Sequence, residues 1–248
     1  MLHSPLKPTH NMKKQSLLFA IATLAAITFS CRYDRDSDDR YFDSQDLSGV
    51  SRLKINGVIN LLITQGDDES LTVEGSPDLA DRLTIEQKGD LLELKLEEFS
   101  GSFFQKNELR VQLTVSNLEE LVFEGVGNIK TTGPLEVEAL RIRGKGVGNI
   151  ELEVAAENLE AELNLMGNMS LKGQANWVRL INEGVGNIDA ARLVAQKMEL
   201  KSSGIGHVSV HCEDELSIDV SGIGAVEYSG NPTVIKEKVD GIGKVTRK

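Results

Sequence analysis

Cysteine is nearly absent: Cys31 and Cys212 are the only two in 248 residues. Two cysteines do not make a disulfide framework, even in an exported protein. Aromatic side chains are scarce, at 4 %, and Trp177 is the single tryptophan. That weakens any function built on stacking rings against sugars or bases. Basic residues are outnumbered 38 to 27, for a formal charge of −11. Lys7, Lys13 and Lys14 are the only charged residues before Cys31, so the chain beyond that point is more acidic still. Such a surface repels nucleic acid and anionic headgroups, and no nucleic-acid partner is expected. No apolar run is long enough to span a bilayer. No Gly-x-Ser-x-Gly, His-Glu-x-x-His or phosphate-loop motif occurs.

The apolar run from Leu17 to Phe29 has the length of a signal h-region, and Lys13 and Lys14 stand before it. Met12 opens a better n-region than Met1, so residues 1–11 could precede the true start. The run ends at Ser30-Cys31, which resembles the site of bacterial lipoprotein signal peptidase. Thr28 stands where that motif usually has Leu, and Phe29 is bulky. The alternative is an ordinary cleaved signal followed by a coincidental cysteine. The expectation is a signal peptide over 1–30, lipid attachment at Cys31 and a solvated acidic tether over 31–46. The acidic residues just after Cys31 resemble the export signals of some Bacteroidetes lipoproteins. The implied location is the cell envelope: an outer-membrane lipoprotein, periplasmic or surface-exposed.

A repeat dominates the rest. The motif Gly-(Val/Ile)-Gly-x-(Ile/Val) starts at Gly125, Gly146, Gly184, Gly204, Gly222 and Gly241, with a degenerate copy at Leu165-Met166-Gly167. The offsets are 18 to 21 residues. Aligned on the first Gly, the column four before it reads Leu121, Ile142, Ala161, Leu180, Leu200, Ile218. Four after it stand Ile129, Ile150, Met169, Ile188, Val208, Val226, Val245. This is strand alternation with β-branched enrichment. Between these columns charges alternate in sign from unit to unit, as in Arg141, Glu160, Arg179 and Glu199. Parallel, in-register stacking would bring those residues ~4.8 Å apart, where opposite charges attract.

The predicted fold is therefore all-β: a right-handed parallel β-helix, a solenoid of about 19-residue coils. Gly125, Gly127, Gly146, Gly148, Gly167, Gly184, Gly186, Gly204, Gly206, Gly222, Gly224, Gly241 and Gly243 are read as turn glycines that also permit tight stacking. The residue between each glycine pair, such as Val147, Met166, Val185 or Ile205, is expected to point inward. Asn128, Asn149, Asn168 and Asn187 form one column and are expected to make an amide ladder, which stops at His207, Ala225 and Lys244.

The repeated Gly-Val-Gly-Asn-Ile resembles the putative auto-transporter adhesin head GIN domain of Bacteroidetes. The stretch from Asn56 to Asp67 and the closing Ser229-Gly230-Asn231-Pro232 are similar to that family too. The resemblance covers about 47–248. It implies a β-helix and an adhesin-like role, and brings no catalytic residues with it. The domain reading is an N-terminal β region or cap over 47–120 and a repeat β-helix over 121–248. In the cap, strands are predicted at 51–56, 58–65, 70–75, 82–88, 91–97 and 108–115. Hairpin turns are expected at Gly66-Asp67 and Gly89-Asp90, and Phe99, Phe103 and Phe104 fall in a loop.

Other chemistry is thin. His207, His211 and Cys212 share one strand and turn, so they read as surface residues and a buried thiol rather than a metal site. Asp67, Asp68 and Glu69 lack calcium-loop spacing and read as a turn. No cofactor is implied. The expected function is non-enzymatic: an envelope protein whose β-helix binds an unknown envelope or extracellular macromolecule or serves as a scaffold, held to the membrane by its lipid, oligomeric state open. The rival is a polysaccharide lyase or hydrolase, which needs clustered carboxylates and a basic residue in one groove.

Overall fold

The computed structural model describes residues 41–97 and 109–248. The signal segment, Cys31 and the loop phenylalanines lie outside the described residues. The described residues form one short helix and thirteen strands that hydrogen-bond into a single sheet. The N-terminal strands are β1 (Tyr41–Asp46), β2 (Arg52–Val58), β3 (Asn60–Gln65) and β4 (Ser70–Gly75). After helix α1 (Pro77–Ala80) come β5 (Leu83–Lys88), β6 (Leu91–Leu96) and β7 (Arg110–Val115). The repeat region holds β8 (Glu120–Asn182), β9 (Val185–Ser202), β10 (Ile205–Val220), β11 (Ile223–Ser229), β12 (Thr233–Val239) and β13 (Ile242–Arg247).

In the repeat region each unit pairs in parallel with the next. Gly186 of β9 lies opposite Gly167 on one side and Gly206 on the other. Gly224 follows opposite Gly206, and Gly243 opposite Gly224. A straight strand as long as β8 would run ~200 Å. Yet Asn149 Nδ2 sits 3.0 Å from Asn128 Oδ1, and Arg141 Nε 2.9 Å from Glu160 Oε2. Residues one unit apart in sequence therefore lie side by side. Leu121, Ile142, Leu180, Leu200 and Ile218 are buried, as are Ile129, Ile150, Ile188, Val208 and Val226. They form one continuous apolar core.

The sheet is mixed, not wholly parallel. β1 pairs antiparallel with β4, β4 with β7, and β5 with β6. The region before the repeats also holds a full unit of its own. Gly57 and Val58 lie opposite Gly125 and Val126, and Leu61 opposite Ile129. On the far side, β6 pairs in parallel with β2 and β7 with β3. So the segment 52–65 lies between β6 and β7 on one side and 120–131 on the other, although it precedes all of them in sequence.

Two sequence expectations are corrected. Gly66-Asp67 is no hairpin turn, because β7 occupies the edge of β3 and β4 pairs on the other side of β7. Gly89-Asp90 does join an antiparallel pair, with Lys88 opposite Leu91. The proposed tether residues Tyr41–Asp46 form β1, an edge strand whose polar sequence hides its period. The short helix is α1, whose first residue is Pro77.

The glycine and central columns are corrected too. Gly125, Gly127, Gly146, Gly148, Gly167, Gly186, Gly206 and Gly224 lie within strands with positive φ, and Gly243 lies within β13. Only Gly184, Gly204, Gly222 and Gly241 sit at bends. At Gly186, φ is +143°, and a Cβ would stand 1.7 Å from the Gly167 carbonyl oxygen. Glycine is required there because backbone stacks on backbone, not because the chain turns. The residues between the glycines point outward: Val147, Met166, Val185 and Ile205 are 45 to 60 % exposed. Parity is the reason. Val126 stands an odd number of residues from buried Leu121 and Ile129, so the pleat turns it to the other face.

Candidate functional site

Two outer surfaces of the stack carry organised side chains. The first is a flat face built on the column between the glycines. Its apolar row is Val58, Val126, Val147, Met166, Val185, Ile205, Ile223 and Ile242, one per unit and all at least 41 % exposed. Two residues further along each strand runs the amide ladder. Asn128 Nδ2 donates to Asn60 Oδ1 at 2.9 Å, Asn149 to Asn128 at 3.0 Å, Asn168 to Asn149 at 3.0 Å and Asn187 to Asn168 at 3.2 Å. The His207 backbone N–H donates to Asn187 Oδ1 at 3.3 Å. The ladder thus begins one unit earlier than the repeat motif predicts. Gly57-Val58-Ile59-Asn60 supplies that unit, and its Ile in place of the second Gly hid it from a motif search.

The second surface is a groove of about 1380 Å³ running across consecutive units. Small residues, Ala139, Ala155, Ala156 and Ala175, leave it hollow. Its lining carries six glutamates against two arginines, together with amide side chains and Trp177. Inside it Arg141 pairs with Glu160, whose hydrogen bond and charge raise the guanidinium's pKa. Asn176 donates to Glu157. Beside it, Arg179 Nε lies 3.6 Å from Glu199, and Arg179 and Glu199 are register partners. The carboxyl of Glu199 is held below its usual range by the Lys201 hydrogen bond first, then by the charges of Lys201, Arg179 and Lys236. The expected charge column therefore exists as cross-unit pairs on the rim of a groove that sequence reasoning missed. The groove's signal in sequence is only Ala156 and Ala175, each nine residues before the motif start of its unit.

The remaining candidates are structural. Cys212 is fully buried, its Sγ within 3.2 Å of the Glu215 carbonyl and 3.4 Å of that of Gln196, and burial pushes its pKa up. His211 Nδ1 lies 2.9 Å from Ser229 Oγ and its Nε2 2.6 Å from Glu213. His207 turns to Glu227 at 3.6 Å. Among the described residues no group of three or more His, Cys, Asp or Glu could hold a metal ion. Glu69 ties loops together: Oε2 accepts the Val50 N–H at 3.1 Å, and Oε1 accepts from the Ser116 hydroxyl and N–H. Burial pushes its carboxyl up, but hydrogen bonds from Ser116, Val50 and Gly49 outweigh this and hold it below the usual range.

This all-β repeat architecture agrees with a family model. Residues 50–232 match that of the "putative auto-transporter adhesin, head GIN domain", and the chain belongs to this family. A crystal structure of a "putative adhesin" from Bacteroides fragilis is similar, with 26 % identity and a TM-score of 0.76. That match covers 84 % of this chain and 97 % of the other. A "putative lipid binding protein" from Parabacteroides distasonis shares the fold at 20 % identity, TM-score 0.60, covering 84 % and 96 %. A "putative adhesin" from Parabacteroides merdae does so at 16 %, TM-score 0.55, covering 86 % and 97 %. No curated protein matches the chain. Among the described residues no helix is long and apolar enough to cross a membrane.

Proposed function

We propose that the chain is an exported envelope lipoprotein, anchored at Cys31. Its repeat region is a right-handed parallel β-helix that binds a glycan chain in the groove. The observation that carries this reading is the groove itself: an open channel crossing consecutive units, rich in carboxylate and amide groups that match sugar hydroxyls, with the only tryptophan in its wall. Its acidic balance favours neutral or amine-bearing sugars over uronic acids. The family's adhesin character supports binding rather than turnover. The comparisons give the polysaccharide-enzyme alternative no support.

Trp177 is a built-in reporter. Titration with neutral and amino-glycans should shift its emission, and the Trp177→Phe variant should lose retention on the same glycan. A folded protein whose emission responds to no glycan in a broad panel, and which none retains, sinks the groove reading. The anchor has its own check. A palmitate analogue should label the wild type in cells and not Cys31→Ala, and equal labelling of both refutes it.

A further inference from the structure

The flat face opposes what a monomer's surface usually does. Of the eleven large hydrophobic residues exposed in the described chain, eight stand in its single apolar row. Register partners keep the row straight: Val58 opposite Val126, Met166 opposite Val185, Ile205 opposite Ile223, Ile223 opposite Ile242. Eight units at the inter-strand spacing make a strip ~35 Å long. With the outward columns on either side it is ~15–20 Å wide, since alternate residues on a strand stand ~7 Å apart. The face therefore covers on the order of 600 Å², close to the ~800 Å² per partner of a stable complex. Solitary exposed hydrophobics need no explanation, but a contiguous row of this size marks a contact surface.

The polar half of the face is prepared for dehydration. Each Asn from Asn128 to Asn187 donates one N–H to the Asn of the preceding unit, and its oxygen accepts one from the following unit. Removing water from carboxamides that are bonded to one another costs far less than removing it from unpaired ones.

We propose that this face packs against the same face of a second copy, with the two stacks antiparallel about a two-fold axis. A second copy is the partner whose apolar row has, by construction, the same pitch, so side chains of one row meet those of the other along its whole length. The antiparallel arrangement puts the third unit against the sixth and the fourth against the fifth: Val147 meets Ile205, and Met166 meets Val185. The charges agree with it. In the column preceding the glycines, Glu124 then faces Ser221, Lys145 faces Ser203, and Glu183 faces Asn164. In the column beyond the ladder, Lys130 faces Glu227, Glu151 faces Ser209 and Asp189 faces Ser170. No two like charges meet along either border, although the chain is strongly acidic. This contact is separate from the groove and stands whether or not the groove takes a glycan.

The test is sedimentation of the full chain carrying Cys31→Ser, which leaves it unacylated. A dimer is expected at micromolar concentration, and Val147→Lys with Ile205→Lys should weaken it at least tenfold while near-ultraviolet circular dichroism stays unchanged. Cysteine cross-linking reads the orientation in the same background. Val147→Cys mixed with Ile205→Cys should join through a short bis-maleimide, and Val147→Cys alone should not. A wild type that stays monomeric at 100-fold higher concentration overturns the proposal, including the case in which that monomer sediments with an ordered polymer such as chitin. A dimer that the lysine pair leaves intact, or one in which Val147→Cys joins to itself, overturns it as well.

Discussion

The region before residue 120 and the repeat region after it build the same parallel ladder by different routes. After 120, sequence order is spatial order, and each unit lies beside the one just made. Before 120, the segment 52–65 lies between strands that follow it in the chain, and antiparallel strands flank the outside. In the repeats, register is held by glycine stacked on glycine and by residues bonded to their own equivalents. In the first region it is held by individual ties without a repeat: Arg52 to Asp90, Lys54 to Glu93, and Glu69 to Val50 and Ser116. One register can thus be written either once and copied, or contact by contact.

Three substitutions separate the two modes. The largest effect is expected in the repeats. Gly186→Ala places a Cβ 1.7 Å from the Gly167 oxygen at a φ of +143°. It should cost at least ~3 kcal/mol, lowering Tm by roughly 6–12 °C. An unchanged melting curve would mean that backbone stacking does not set the register. The middle effect belongs to Glu69→Gln, which weakens charge-assisted bonds to Val50 and Ser116 and should cost about 1–2 kcal/mol near neutral pH. The carboxyl's folded pKa is depressed, so its contribution is complete above the unfolded value of about 4.3 and is lost as pH falls through the folded value. Wild type and variant should therefore converge in denaturant midpoint below about pH 4. A gap that persists in acid contradicts the assignment. The smallest effect is expected at Gly89, in the hairpin before the repeats, where φ is +63° and nothing lies within 4 Å of a Cβ. Gly89→Ala should cost only about 1 kcal/mol, the backbone penalty alone. A loss as large as that of Gly186→Ala would erase the distinction between the regions.

What sequence could show follows the same division. Copied information is legible: the 18- to 21-residue period, the buried columns and the Arg141–Glu160 pairing all repeat, and repetition makes them stand out. The parity of the glycine motif was legible too. Leu121 and Ile129 are even steps from Gly125, so the apolar residue beside the glycine belongs outside. Reading Val147 or Ile205 as core follows hydrophobicity where the strand period should decide. Contacts written once are not legible. Nothing local in Leu109–Val115 says that β7 will separate β3 from β4, and the polar strand Tyr41–Asp46 gives no period at all. The groove escaped because a concavity across units comes from small side chains along strands, a shape rather than a motif.

The interleaved position of 52–65 also orders events in time. A chain delivered N-terminus first presents β2 and β3 with both flanks open, since β6, β7 and β8 have yet to arrive. Sheet edges left open in this way are sticky and slow to close, because the loops that close them are long. The first strands delivered gain partners on one flank once β7 has arrived, and on the other only once about residue 131 has. From there each further unit can settle on a finished template. Synthesis that stalls short of that point leaves a segment without a ladder, and synthesis that stalls past it leaves a shorter but complete one.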